Sequence, residues 1–185
     1  MNTRLFTFIG SDSGLWRVVS TATVVGAPFP EATRVDVISG LTSQSEPTDR
    51  WMLRGITSNE RYVVREEKID LVAKQQDLGR PEASRAALIP IRKNPSWWAL
   101  TQDERRAVIE ERSQHIKIGL RYLPAIARRL HHCRDLSESE PFDFITWFEY
   151  APAHENEFND LLAELRASEE WSYIDREIDI RLMRD

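Results

Sequence analysis

With 185 residues, 41% of them hydrophobic and 30% charged, the chain has ordinary globular usage and enough length to bury a core, which excludes a disordered protein. A net charge of −5 excludes the strongly basic surface that a phosphate backbone requires, so nucleic acid is not expected as a partner. The single cysteine, Cys133, excludes an internal disulfide, and no apolar run suits a signal peptide or a membrane span; one cytoplasmic domain over residues 1–185 is expected, with no membrane partner.

Residues 5–9 and 16–25 read as strands, because β-branched and aromatic residues flank the small polar turn at 10–14, and a hairpin is the simplest joining. Residues 26–49 are rich in Pro, Ser, Thr and Gly; a strand fits at 35–38, and 41–49 is the expected mobile loop. A strand resumes at 51–56. Ser58 or Asn59 is placed to cap a helix running to about residue 76, in which Tyr62, Arg65 or Glu66, Ile69 and Val72 predict an inward face. The next strand covers 86–92. Thr101-Gln-Asp-Glu104 is a capping box and predicts a helix to about 118, ended by Gly119, with Pro124 preventing continuation.

Strands at 129–134 and 142–150 follow, joined by the polar turn 135–141. Pro152 opens a helix in which Phe158, Leu161, Leu162 and Leu165 form a stripe of 3.6-residue period. A long strand at 171–183 closes the chain, with Ile174, Ile178, Ile180 and Leu182 on one side. From residue 101 the order is helix, strand, strand, helix, strand. That order predicts a ferredoxin-like α+β unit with helices over one face of an antiparallel sheet, and residues 1–100 repeat it less completely.

The histidines are His115, His131, His132 and His154, and none makes the His-x-x-x-His pair of a helical zinc site. A site of histidine and carboxylate for one metal ion stays open, whereas haem iron needs a single imidazole. His115 is best placed to supply it, beside Val108, Ile109, Ile116 and Ile118, although a histidine near a helix C-terminus also serves simply as a favourable cation. His131 and His132 are adjacent in a strand and point to opposite faces. His154, among Glu155 and Glu157, suits solvent. Glu170 is a candidate acceptor for the second ring nitrogen of a ligating histidine, the alternative being a solvated Glu169-Glu170 pair. Lys93, Tyr62, Trp97 and Trp98 interleave polar tips with aromatic area, as a macrocycle bearing propionates would require, and only one of the two tryptophans can face a given pocket. The interruption at Gly119 and Pro124 lets the chain return and set Arg128 opposite His115; in a loop such an arginine is otherwise a solvated charge.

Trp51-Met-Leu-Arg-Gly55, Arg61-Tyr62-Val63, Ala87-Leu-Ile-Pro-Ile-Arg-Lys93, Trp97-Trp98, Gln114-His115-Ile116, Tyr122-Leu-Pro-Ala-Ile-Ala-Arg128, Phe142-Asp-Phe-Ile-Thr-Trp-Phe-Glu149 and Glu170-Trp171 together resemble the short-chain, dimeric lineage of chlorite dismutase. The likeness spans nearly the whole chain and is weakest at 26–49. It implies a homodimer of α+β barrels built from ferredoxin-like units, with a truncated N-terminal unit. It also implies haem b and the conversion of chlorite to chloride and molecular oxygen through a ferryl and hypochlorite pair. By this resemblance His115 is the proximal iron ligand, Glu170 its carboxylate partner and Arg128 the distal arginine, while Lys93, Tyr62 and Trp97 line the haem and its propionates. Three rivals accompany it: a coproheme decarboxylase, which lacks the distal arginine; a haem peroxidase of the same fold, with a distal carboxylate; and a non-catalytic haem carrier or sensor, with no use for Arg128.

Overall fold

Side chains alternate between two faces along an extended segment, so a strand with one apolar face must bury it against others. In the computed structural model, which describes residues 4–40, 49–58 and 61–185, eight strands do so by closing into one antiparallel barrel. They are β1 (Leu5–Ser11), β2 (Trp16–Val25), β3 (Arg34–Ser39), β4 (Trp51–Thr57), β5 (Arg85–Lys93), β6 (Ala127–His132), β7 (Phe144–Tyr150) and β8 (Ile174–Arg184). Residues 41–48 of the expected mobile loop lie outside the described residues, as does Asn59.

Around the barrel the order is β1-β3-β2-β8-β5-β7-β6-β4. Cut between β2 and β8 and between β6 and β4, this gives two halves with one order: last, first, third and second strand. The C-terminal half joins its outer pairs through helices. In the N-terminal half, β1 and β2 are joined without one. The expected hairpin of β1 and β2 is therefore not made, because β3 lies between them and pairs with both. The connection passes across β3 at Val35, where Gly14 (φ +139°) has no room for a side chain: a Cβ would stand 3.0 Å from the Val35 carbonyl.

The helices are α1 (Arg65–Lys74), α2 (Pro95–Ala99), α3 (Gln102–Arg106), α4 (His115–Arg121) and α5 (Glu155–Arg166), with short 3-10 turns at Pro152–His154 and Glu169–Tyr173. Helix α5 buries Phe158, Leu161, Leu162 and Leu165, the stripe read from the sequence, against Ala87, Ile89 and Phe148 of the sheet. The barrel interior is filled from both halves by Phe8, Trp16, Leu53, Leu88, Trp147, Ile178, Ile180 and Leu182. No helix among the described residues is long and apolar enough to cross a membrane.

Several expected boundaries move. Helix α1 starts only at Arg65, since Tyr62 holds a left-handed φ of 66°, and its entry is capped by Glu67 accepting the Val64 N–H at 2.9 Å. Its expected inward face is turned out, with Ile69 61% and Val72 73% exposed, because Leu71 takes the inward position. The capping box forms, Thr101 N–H donating to Glu104 at 2.7 Å. The helix it starts does not reach Ile118: it widens into a π-type turn at Ala107–Arg112 and is cut by Gln114 at φ 54°. Gly119 lies inside α4 and ends nothing. Strand β6 begins at Ala127, so Arg128 stands in a strand rather than a loop, and β8 begins at Ile174, with Trp171 in the turn before it.

In β6 the two histidines do face opposite ways. His131 packs inside between the rings of Phe6 and Phe8, at 5.4 and 4.9 Å, while His132 looks out towards Phe144 and the helices. Burial, with Arg129 nearby, pushes His131 down from an ordinary 6.5 to about 3; burial, with Arg61 nearby, pushes His132 down to about 4. Both stay neutral in the folded chain at mildly acid pH but charge in the unfolded chain, so stability falls as pH drops below about 6.5. Between pH 7.5 and pH 5 each is expected to remove about 2 kcal/mol, readable by urea unfolding at the two values. Equal stability at both would contradict their neutrality.

Candidate functional site

The outer face of the C-terminal half is not fully covered by its helices. Ile89, Ile91 and Lys93 of β5, Phe144, Thr146 and Phe148 of β7, and Arg128, Leu130 and His132 of β6 form the floor of a cavity of about 410 Å³. Each strand contributes every second residue, as its pleat dictates. The roof comes from α1 and α4, with Leu162 and Leu165 of α5 and the turn at 169–173 closing one side. Its size and mainly apolar lining suit a small-molecule or cofactor site.

The break at Gln114 builds the polar wall. Helix α4 starts with His115, and the free amide of Ile116 is capped by the Glu110 carboxylate at 2.7 Å. Ser113 Oγ accepts the Glu170 N–H at 2.9 Å, which docks the turn of residues 169–173 on the helix start. One oxygen of Glu170 then lies 2.6 Å from His115 Nδ1 and the other 2.7 Å from Lys93 Nζ. Burial by itself would raise the Glu170 pKa, but the charge of Lys93 and the His115 contact outweigh it and hold the carboxyl far below the usual range. An ionised carboxylate there makes Nδ1 the donor and leaves the lone pair on Nε2 of His115, a residue that lines the cavity.

Arg128 rises from the floor. Its carbonyl accepts from Gln75 Nε2 at 2.6 Å, but its guanidinium makes no hydrogen bond or ion pair among the described residues. Enclosure by protein alone pushes its pKa down to about 10, which still leaves it charged at neutral pH. Three further groups lining the cavity have buried polar atoms without partners, Tyr62 Oη, Trp97 Nε1 and His132 Nδ1. Trp98 does not line it and packs instead between the guanidinium groups of Arg105 and Arg134, 5.0 and 4.2 Å away.

The six residues that the resemblance assigns to the site, Tyr62, Lys93, Trp97, His115, Arg128 and Glu170, therefore line one cavity. Lys93 stands with Glu170, where it also lies 4.4 Å from the Trp97 ring. Sequence reasoning missed Glu110, Ser113 and Gln75, whose contacts join residues that no local pattern connects. It also passed over His132, whose Nδ1 is buried without a partner while Nε2 meets the Ser58 carbonyl at 3.1 Å. Among the described residues no three His, Cys, Asp or Glu side chains gather as a metal site.

The family model described as chlorite dismutase matches residues 41–184. The chain belongs to the chlorite dismutase family, a family of enzymes. Among solved structures, that of the dimeric chlorite dismutases from Nitrobacter winogradskyi is 54% identical, with a TM-score of 0.88 over 97% of this chain and 99% of that one. Chlorite dismutase from Candidatus Nitrospira defluvii in complex with imidazole, 20% identical, shares the fold at a TM-score of 0.68 over 100% of this chain and 93% of its own. A curated chlorite dismutase from Ideonella dechloratans is 34% identical over 88 residues, a match covering 48% of this chain and only 28% of that protein.

The buried pair of Lys93 and Glu170 gives a direct test of the polar wall. Removing one partner strands a buried charge, so Lys93→Met is expected to cost about 3 kcal/mol or more in urea unfolding. Lys93→Met combined with Glu170→Gln should lose less than Lys93→Met alone, and the reverse order would contradict an ionised Glu170.

Proposed function

We propose that the protein is a haem b-dependent chlorite dismutase that converts chlorite to chloride and molecular oxygen. The observation that carries this is Arg128, an enclosed guanidinium with no counter-charge, in a cavity that His115, backed by an ionised Glu170, also lines. A half-buried cation without a counter-charge is costly, and an anionic substrate is what offsets it.

The residues present fit haem. His115 Nε2 is a ligand for its iron, the apolar strands and α5 suit a flat macrocycle, and the unpartnered Tyr62 Oη and Trp97 Nε1 are donors for its carboxylate edge. Haem, when bound, supplies redox-active iron for oxygen-atom transfer from chlorite. Glu170 holds the proton of His115 Nδ1 and makes the imidazole a stronger donor, and Lys93 keeps Glu170 ionised. Arg128 draws the chlorite anion in and retains the hypochlorite released from it until the O–O bond forms. Chlorite yields chloride and O2 with no net proton taken up or lost, so the site needs a fixed positive charge rather than a general acid.

The rival readings explain less. A haem carrier or a decarboxylase leaves the buried charge of Arg128 without a purpose. A distal carboxylate for peroxidase chemistry is missing among the described cavity residues, where Glu170 is the one acid and is taken by His115 and Lys93. The strand order common to both halves supports reading each as a ferredoxin-like unit, the first without a helix between β1 and β2. We read the protein as a homodimer, as the 54% identical Nitrobacter proteins are described to be, and place it in the cytoplasm, whose reducing conditions suit the one buried free thiol, Cys133.

Chlorite added to the haem-loaded protein in an oxygen electrode should release oxygen at once, and its absence would overturn the proposal. His115→Ala should lose most of its haem and its histidine-ligated spectrum. Arg128→Ala should keep haem, lose about 100-fold in turnover and release hypochlorite to a chlorination trap; undiminished turnover would remove Arg128 from the mechanism.

A further inference from the structure

Gly119 occupies the interior of α4, one turn beyond His115, where glycine costs a helix about 1 kcal/mol relative to alanine. Its backbone does not call for glycine, since it is not among the residues with positive φ, and it does not end the helix. The space beside it does. A Cβ on Gly119 would stand 2.2 Å from Arg128 Nη1, 2.6 Å from Nη2 and 2.8 Å from Cζ. All three are atoms of one guanidinium, which thus rests against the bare helix backbone.

We infer that Gly119 is a positioning residue for Arg128: the notch left by its missing side chain seats the guanidinium deep in the cavity and ties its place to the helix that carries His115. This rests on the proposed role of Arg128 as the anion-facing charge. Gln75 fixes the Arg128 backbone through its carbonyl but does not hold the side chain, whose tip makes no hydrogen bond or ion pair among the described residues. Steric fit is left to set where the charge sits. The seat lies in the last turn of α4, where the partial negative charge of the helix end favours a cation. A methyl group there would move the guanidinium by more than about 1 Å to restore van der Waals contact. What must yield is the far end of a flexible side chain, so the fold tolerates the change while the charge does not keep its place.

The test uses ferric, haem-loaded protein and fluoride, an anion whose binding to haem iron is read optically, in wild type, Gly119→Ala, Arg128→Ala and the double variant. Gly119→Ala is expected to weaken fluoride binding about fivefold or more and to have no further effect in the Arg128→Ala background, with thermal stability equal or raised. Unchanged or tighter fluoride binding by Gly119→Ala, while Arg128→Ala weakens it, overturns the inference. So does an equal loss in both backgrounds, which would mean that the methyl group acts on the helix or the haem. If Arg128→Ala itself leaves fluoride binding untouched, the anion-facing role of Arg128 fails and the inference falls with it. A crystal structure of Gly119→Ala, with or without haem, gives a second reading: the guanidinium should leave α4, and an unmoved one refutes the seat.

Discussion

The buried carboxylate of Glu170 is the interaction on which the site depends. A lone carboxylate at that depth would cost several kcal/mol in lost hydration, and it stays charged because Lys93 and His115 each take one of its oxygens. The three groups come from separate places: Lys93 from the end of β5, His115 from the start of α4 and Glu170 from the turn of residues 169–173. None can shift without exposing an unmatched charge. The helix break before His115 serves this arrangement, since Ser113 and Glu110 can bind Glu170 and cap α4 only where the chain leaves helical geometry. The left-handed Gln114 is a strained residue of about 1 kcal/mol or more, and the docked turn offsets it.

The two barrel halves share a strand order but not a covering, and that difference places the cavity. Where the C-terminal half carries helices, a second layer stands off the sheet and leaves room between. In the N-terminal half a short crossing over β3 replaces the first of them. The interior of the barrel is filled with aromatic and branched side chains. Within the cavity the charges do not balance. Lys93 and Glu170 cancel, Arg61 is paired with Asp135, Lys68 has an interaction of its own, and Arg128 is left over. One uncompensated positive charge in a mainly apolar cavity suits a small anion.

Much of the C-terminal half was legible because its signals are local. The α5 stripe, the Thr101 box and the alternation in β8 each rest on residues a few positions apart. The misreadings come from competition over distance. The turn at residues 10–14 carries every local sign of a hairpin, yet β3 offers both strands a better edge. Ile69 and Val72 have helical spacing, but Leu71 takes the inward direction. Nothing in Ser113-Gln114 announces a break, because glutamine is a good helix former and the gain comes from Glu170, 57 positions from Ser113. At the site, side-chain chemistry alone put forward His115 and set His131 and His132 on opposite faces. The grouping of Glu170, Lys93 and Arg128 came from resemblance, since no spacing in the chain brings them together.

Lys93 shows how geometry changes the meaning of a residue. As a cation among aromatic rings it reads as a partner for a carboxylate at the cofactor's edge. Bonded to Glu170, it already has a carboxylate within the protein. Without Lys93 the carboxylate would be buried with only an imidazole for company, and its easiest relief would be to take up a proton. Protonated, it would donate to Nδ1, leave the imidazole's own proton on Nε2 and remove the lone pair that faces the cavity. With Lys93 in place the proton stays on nitrogen and the negative charge on Glu170. The unpartnered Tyr62 Oη and Trp97 Nε1 that line the cavity are neutral, and Arg128 is left there as a positive charge that no protein carboxylate among the described residues claims.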